Sequence, residues 1–290
     1  MAAAASPFRP DLLKDHSALV TGGGSGICLE IARQLGLHGA QVTIMGRRSK
    51  LLDQAVAKLK EEGIKAFSAP GDVRKPEEVE RAVAAAAASM GGIDILVNGA
   101  AGNFLATAEG LRPGGFRTVM EIDACGTFNM CHAAHAHLKK SGKGVILNIS
   151  ANLHLPATWY QIHAAAAKAA VDSMTRSLAL EWGSLKIRAV GIAPGPIAGT
   201  PGLAKLAPGA NAEAVKKMVE GVIPLGRLGE TSDIAFAAVF LCSPAASFIS
   251  GSTLLVDGAQ SLHQNQPVPR SLVNKMSAMA KKAPPRKAKL

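Results

Sequence analysis

Ser17-Ala18-Leu19-Val20-Thr21-Gly22-Gly23-Gly24-Ser25-Gly26-Ile27 begins as a short apolar strand and ends in a turn rich in glycine. Glycines allow the tight turn and let the backbone approach a pyrophosphate resting on a helix N-terminus. Gly22, Gly24, Ser25, Gly26 and Ile27 are therefore candidates for a dinucleotide cradle. A lone glycine-rich loop also makes ordinary turns; its place after the first strand, and the motifs beyond it, decide the reading.

Outward from that turn, strand-like and helix-like patterns alternate. Strands are expected at Ser17–Thr21, Gln41–Met45, Ile64–Ala69, Asp94–Asn98, Gly144–Ser150, Lys186–Ile192 and Ser252–Val256. Helices are expected at Ser49–Glu62, Lys75–Met90, Phe116–Lys139, Gln161–Trp182 and Thr231–Leu241. The alternation implies right-handed crossovers and one α/β domain of the Rossmann type, with a doubly wound, parallel, seven-stranded sheet. Ligands then sit at the strand carboxyl ends. We assign residues 1–11 to an N-terminal extension, 12–262 to the Rossmann domain and 263–290 to a basic tail. The Gly/Pro-rich segment Pro194–Gly229 breaks the alternation and suits a substrate lid, with a short helix at Ala212–Glu220.

The 290 residues, 48% of them hydrophobic and only 4% aromatic, suit parallel strands beneath helices. No apolar run reaches the ~20 residues that span a bilayer, and Met1–Ser6 lacks the pattern of a secretory signal. Cys28, Cys125, Cys131 and Cys242 show neither metal-ligand spacing nor a disulfide pattern, so a reducing interior is the simpler assumption. Arg270, Lys275, Lys281, Lys282, Arg286, Lys287 and Lys289 give the tail seven of the net +11 charges. The mildly basic body suits phosphate-bearing ligands. No aromatics interleave with the basic residues and no recognition motif appears, which argues against nucleic acid.

The second strand ends in Arg47-Arg48, where an NAD enzyme usually carries a carboxylate for the ribose hydroxyls. Arginine suits the 2′-phosphate of NADPH. Asp72, followed by Val73, ends the third strand and can accept from the adenine amino group. The small residues of Asn98–Gly102, Ala100 among them, let the adenosine half lie against the backbone.

From about Leu12 to Gly258 the chain resembles the short-chain dehydrogenase/reductase family, and within it most resembles the peroxisomal 2,4-dienoyl-CoA reductases. The marks are Pro10-Asp11-Leu12-Leu13, Ala100-Ala101-Gly102-Asn103-Phe104, Ile122-Asp123-Ala124-Cys125-Gly126-Thr127-Phe128, His163-Ala164, Glu181-Trp182-Gly183 and Pro194-Gly195-Pro196-Ile197-Ala198-Gly199-Thr200. Cys28 departs from the family pattern, which has a third glycine there; cysteine is small and tolerates burial, so adjustment is expected and not loss of binding.

Ordinary members carry an Asn-Ser-Tyr-Lys tetrad, and the matching positions here are Asp123, Ala151, Ala164 and Lys168. The sole tyrosine, Tyr160, is followed four residues later by Ala164 and not by lysine. A ketone reductase needs an acid to protonate the developing alkoxide. Reduction of a conjugated dienoyl thioester spreads charge into a dienolate, which needs hydrogen-bond donors at the thioester oxygen and a proton on carbon. A bound water can supply that proton.

The resemblance thus implies an NADPH-dependent reductase acting on acyl-CoA. Lys168 is assigned to the nicotinamide ribose and to the dienolate, and Asp123 to pairing with Lys168 and orienting the water. Pro194, Gly195 and Ile197 would meet the nicotinamide amide and Thr200 the pyrophosphate. Asn103 and Phe104 would line the acyl pocket, with Arg74 and Lys205 on the CoA phosphates. His163 is read as a packed or exposed histidine that faces away from Lys168. Ala288-Lys289-Leu290 resembles a peroxisomal address read by an import receptor, and the family suggests a homotetramer. Rival readings are another enoyl-CoA or carbonyl reductase, and a non-catalytic NADP-binding scaffold.

Overall fold

A computed structural model describes residues 6–154, 157–206, 213, 221–263 and 271–275. The strands are β1 Ser17–Thr21, β2 Gln41–Gly46, β3 Ala66–Pro70, β4 Ile95–Asn98, β5 Gly144–Ile149, β6 Ile187–Pro194 and β7 Thr253–Val256. They form one sheet in the order β3-β2-β1-β4-β5-β6-β7, with every pairing parallel. β1 and β5 are buried along their whole length, as continuous apolar runs covered on both faces must be. β7 lies at the edge, and Leu254 and Leu255 remain exposed there.

The helices are α1 Gly26–Leu37, α2 Ser49–Glu61, α3 Pro76–Met90, α4 Pro113–Met120, α5 Gly126–Ser141, α6 Ile162–Trp182, α7 Pro201–Leu206 and α8 Thr231–Cys242. Ile31, Leu35, Ile234 and Val239 of α1 and α8 pack with Val20 and Val97 in one apolar layer. Val79, Val83, Met130 and Leu138 of α3 and α5 pack with Leu19 and Leu96 in the other. The sheet order reverses between β1 and β4, which opens a crevice beyond their carboxyl ends. Among the described residues, no helix is long and apolar enough to cross a membrane.

One expectation needs correction. The helix read as Phe116–Lys139 starts at Pro113, whose missing N–H costs nothing in a first turn. It is then interrupted by a π turn at Glu121–Cys125. One extra residue in a turn leaves no mark in an apolar periodicity, yet this one delivers Asp123 to the interior. The lid segment is pinned at its stem, where Ala198 N donates to Gly229 O at 2.8 Å and Gly229 N to Pro196 O at 3.1 Å. The helix expected at Ala212–Glu220 lies, apart from Glu213, outside the described residues, as do Ala288–Leu290 and the side chain of Lys205.

Candidate active site

The crevice is floored by backbone that tolerates no side chain. Gly22 has φ +70°, and a Cβ there would meet Gly99 O at 2.9 Å and Ala100 N at 3.1 Å. Thr21 Oγ1 fixes that approach by accepting from Gly99 N at 3.0 Å and Ala100 N at 3.1 Å. Gly24 and Ser25 lead into α1; Ser25 is extended at its N-cap and its side chain makes no capping bond. Gly26, at φ +59°, faces the ring of Pro201 at the lid, and Ile27 follows it in the first turn. A cradle built this way fits a diphosphate.

Cys28, in place of the third glycine, is accommodated by its neighbour. Its thiol donates to Gly99 O at 3.6 Å, and any side chain on Gly99 would collide with the sulfur. Burial pushes the Cys28 thiol up to about 12, against the opposing influence of Lys168. It is therefore an uncharged filler.

At the adenosine end, Arg47 and Arg48 are exposed immediately after β2. Asp72 is buried at the end of β3, and Arg74 folds back on it, donating from Nε to Oδ1 at 3.0 Å and from Nη2 to Oδ2 at 2.6 Å. The Arg74 hydrogen bonds hold the Asp72 carboxyl below the usual range, outweighing its burial. Arg74 is thus already committed to Asp72 in a bidentate pair, although its side chain stays partly open. Val73 is buried against Gly126, where a Cβ would meet Val73 Cγ2 at 2.6 Å, and its carbonyl accepts from Asn129 Nδ2 at 2.9 Å.

At the other end, the Asp123 side chain is only 1% exposed and lies with Oδ2 3.1 Å from Lys168 Nζ. This is a charge contact without hydrogen-bond alignment, since Oδ2 has no aligned donor. Oδ1 accepts from Gly102 N at 2.7 Å, while Lys168 Nζ donates to Ile149 O at 2.9 Å. The lysine is thereby fixed between the end of β5 and the π turn. Ala164 is buried one turn before it, and Tyr160 is 52% exposed at φ +61° with its ring beside that of Trp159.

The loop after β4 is strapped onto the start of α6. Asn103 Nδ2 donates to Gln161 Oε1 at 2.6 Å, Ala106 N to Tyr160 O at 3.0 Å, and Phe104 stacks on His163 with ring centroids 4.2 Å apart. His163 is packed, one of the two alternatives expected for it: its ring is wholly buried, and close enough to Asp123 to feel its charge. A cavity of about 570 Å³, lined by Leu111, Phe116, Arg117, Met120 and Ile162 among others, opens beside this strap.

The lid end carries Pro194, Gly195, Ile197 and Thr200. Gly195 lies flat on Asp257, whose Cα would be 2.8 Å from an added Cβ. Thr200 Oγ1 donates to Ile197 O at 3.0 Å and accepts from Leu203 N at 3.2 Å, so its hydroxyl already serves the start of α7. Asp257, which sequence reading passed over, accepts from Asn152 Nδ2 at 3.0 Å and Ser261 N at 2.9 Å. Burial works to raise its carboxyl, yet those bonds hold it below the usual range. Only its place directly after the last strand could have drawn attention to it.

Comparison with known proteins agrees with this geometry. Residues 22–259 match the family described as enoyl-(acyl carrier protein) reductase. The chain is similar to the peroxisomal 2,4-dienoyl-CoA reductase [(3E)-enoyl-CoA-producing] of Arabidopsis thaliana, 52% identical over 286 residues, covering 96% of this chain and 95% of that protein. The protein of the same name from Mus musculus is 45% identical over 252 residues, covering 87% and 85%. Among solved structures, a short chain dehydrogenase from Bacillus anthracis is 36% identical with a TM-score of 0.78, over 88% of this chain and 100% of that one. A gluconate 5-dehydrogenase from Burkholderia cenocepacia, in complex with NADP and tartrate, is 32% identical with a TM-score of 0.81, over 88% and 99%.

Proposed function

The chain belongs to the short-chain dehydrogenase/reductase family, and from that premise we propose that it is an NADPH-dependent reductase of 2,4-dienoyl-CoA. The carrying observation is the buried Asp123–Lys168 pair beside two positions, Ala151 and Ala164, that offer no hydroxyl. A site without a phenol is poorly made for an alkoxide. It suits a conjugated thioester, whose negative charge moves away from the carbon attacked.

The glycine cradle from Gly22 to Ile27 would hold the pyrophosphate of NADPH, Arg47 and Arg48 its 2′-phosphate, and Asp72 and Ala100 the adenosine. Pro194, Gly195 and Ile197 would border the nicotinamide, which supplies a hydride when bound, and Thr200 the pyrophosphate. Lys168 has three N–H donors; one goes to Ile149 O, while Asp123 meets the ammonium as a charge contact without alignment, which leaves donor capacity for the ribose or the thioester oxygen. In that position the ammonium stabilises the enolate oxygen electrostatically. Asp123 keeps the lysine charged and aimed, and orients the water that gives its proton to carbon. Asn103 and Phe104 border the acyl group, and the cavity beside α4 has room for its tail.

The names of the relatives support a 3-enoyl product and a peroxisomal setting. The CoA phosphates fall to Lys205 and, once it swings off Asp72, to Arg74. Assembly into a tetramer is part of the same proposal, supported by the apolar residues that β7 leaves exposed.

The test is NADPH consumption with a 2,4-dienoyl-CoA, a 2-enoyl-CoA and a 3-ketoacyl-CoA in parallel. Turnover of the dienoyl compound is expected. Turnover of the ketoacyl compound alone would overturn the assignment, and tight NADPH binding without any turnover would favour a scaffold.

A further inference from the structure

His163 stands beside the site without being used by the mechanism above. It is the second residue of α6, and its imidazole is 0% exposed although its neighbour Ile162 is 51% exposed. Neither ring nitrogen has an aligned hydrogen-bond partner. What the ring does have is Phe104, stacked at 4.2 Å with the planes 25° apart. Phe104 is itself 38% exposed, so one of its faces is covered by the imidazole while part of the ring stays open. Its edge is set by Gly115 of α4, where a Cβ would lie 3.1 Å from Phe104 Cζ.

We infer that His163 is a positioning residue for the substrate: its imidazole backs Phe104, so that the phenyl ring presents a fixed flat face to a planar conjugated acyl group. The inference rests on the dienoyl reading given above. A dienoyl thioester is flat over its conjugated atoms and can lie offset on an aromatic face, whereas a saturated chain at the same place is puckered. Stacking of this kind is worth about 0.5–1.5 kcal/mol beyond buried area, and only if the ring stays put. The strap of Asn103 to Gln161 and Ala106 to Tyr160 holds the backbone around the ring, and among the described residues His163 is the aromatic ring stacked on its face.

The backing must be uncharged. Facing it are the Asp123 carboxylate, from the π turn, and the Phe104 carbonyl, from the loop after β4. Asp123 is in turn paired with Lys168 of α6. An imidazolium here would compete with Lys168 for Asp123, and burial disfavours that charged form.

The experiment compares His163→Ala and His163→Phe with the unaltered full chain, measuring kcat and KM for a 2,4-dienoyl-CoA and, separately, NADPH affinity by fluorescence. His163→Ala should raise KM about 3- to 10-fold, with kcat and NADPH affinity little changed, and His163→Phe should restore KM. Equal KM for His163→Ala and the unaltered chain overturns the inference. So does a His163→Phe variant that binds NADPH yet has lost kcat, since the imidazole would then be acting chemically. If His163→Ala fails to fold, Phe104→Leu, which keeps the imidazole and removes the flat face, must show the same rise in KM. An unaltered chain that does not turn over dienoyl-CoA would instead defeat the functional reading on which the inference rests.

Discussion

Lys168 and Asp123 form a buried ion pair, 3.1 Å from Nζ to Oδ2, joining the second turn of α6 to a π turn between α4 and α5. Their side-chain hydrogen bonds are to backbone, Lys168 to Ile149 O and Gly102 N to Asp123. The pair therefore ties together β5, the loop after β4 and both helices that wall the crevice.

Removing either partner should have different consequences. Lys168→Ala removes the proposed donor to the developing enolate and should lower kcat about 10²- to 10³-fold. Asp123→Ala leaves a buried ammonium without its counter-charge and should cost about 3 kcal/mol or more of stability in addition to activity. Steady-state kinetics with thermal melts separate the two, and unchanged rates for either variant would remove that residue from the mechanism.

The proposed 2′-phosphate contact makes Arg47 the residue to test for cofactor choice. It is exposed after β2, with no ion pair among the described residues, and so is free to meet a 2′-phosphate. A charge-assisted hydrogen bond contributes about 1.5–3 kcal/mol, so Arg47→Ala should weaken NADPH about 10- to 100-fold. NADH affinity should hardly change. Titration of both cofactors decides the matter, and equal weakening would contradict the 2′-phosphate role.

The strands and the glycine turn were legible because both rest on local rules: continuous apolar runs for buried parallel strands, and φ > 0 at Gly22 and Gly26. Asp123 and Lys168 were legible only through family resemblance. Nothing in the local pattern of Glu121–Cys125 announces a π turn, and without one Asp123 would take another angle. The partners of His163 were not legible and Asp257 was missed, because their surroundings come from segments far apart in sequence, Phe104 for one and Asn152 for the other. Arg74 shows the converse. Its partner is only two residues away at Asp72, yet an arginine on a rim gives no sign that it will fold inward.

Thiol chemistry should be confined to one cysteine. Cys28, Cys131 and Cys242 are buried, and desolvation pushes each thiol up to about 12. Cys125, at the end of the π turn, is exposed. The thiolate is the reactive form, so iodoacetamide at neutral pH should label Cys125 alone, read by peptide mass spectrometry. Rapid labelling of Cys28 in the folded protein would mean that the glycine-rich turn opens and that the contact with Gly99 is not maintained.

Burial of His163 makes a signed prediction about pH. Desolvation, only partly offset by the Phe104 carbonyl and Asp123, lowers its pKa in the folded chain below the ordinary 6.5. As pH falls below 6.5, the unfolded chain takes up a proton that the folded one resists, so folding is progressively penalised until the folded pKa is passed. Above 6.5 both states are neutral at this residue and its contribution is flat. Many groups titrate in the same range, so the informative quantity is a difference. Urea unfolding at about pH 7.5 and about pH 5.5 should show a smaller loss of stability for His163→Phe than for the unaltered chain. Equal losses would mean that the imidazole accepts its proton freely in the folded state, and that the stack on Phe104 opens to let water in.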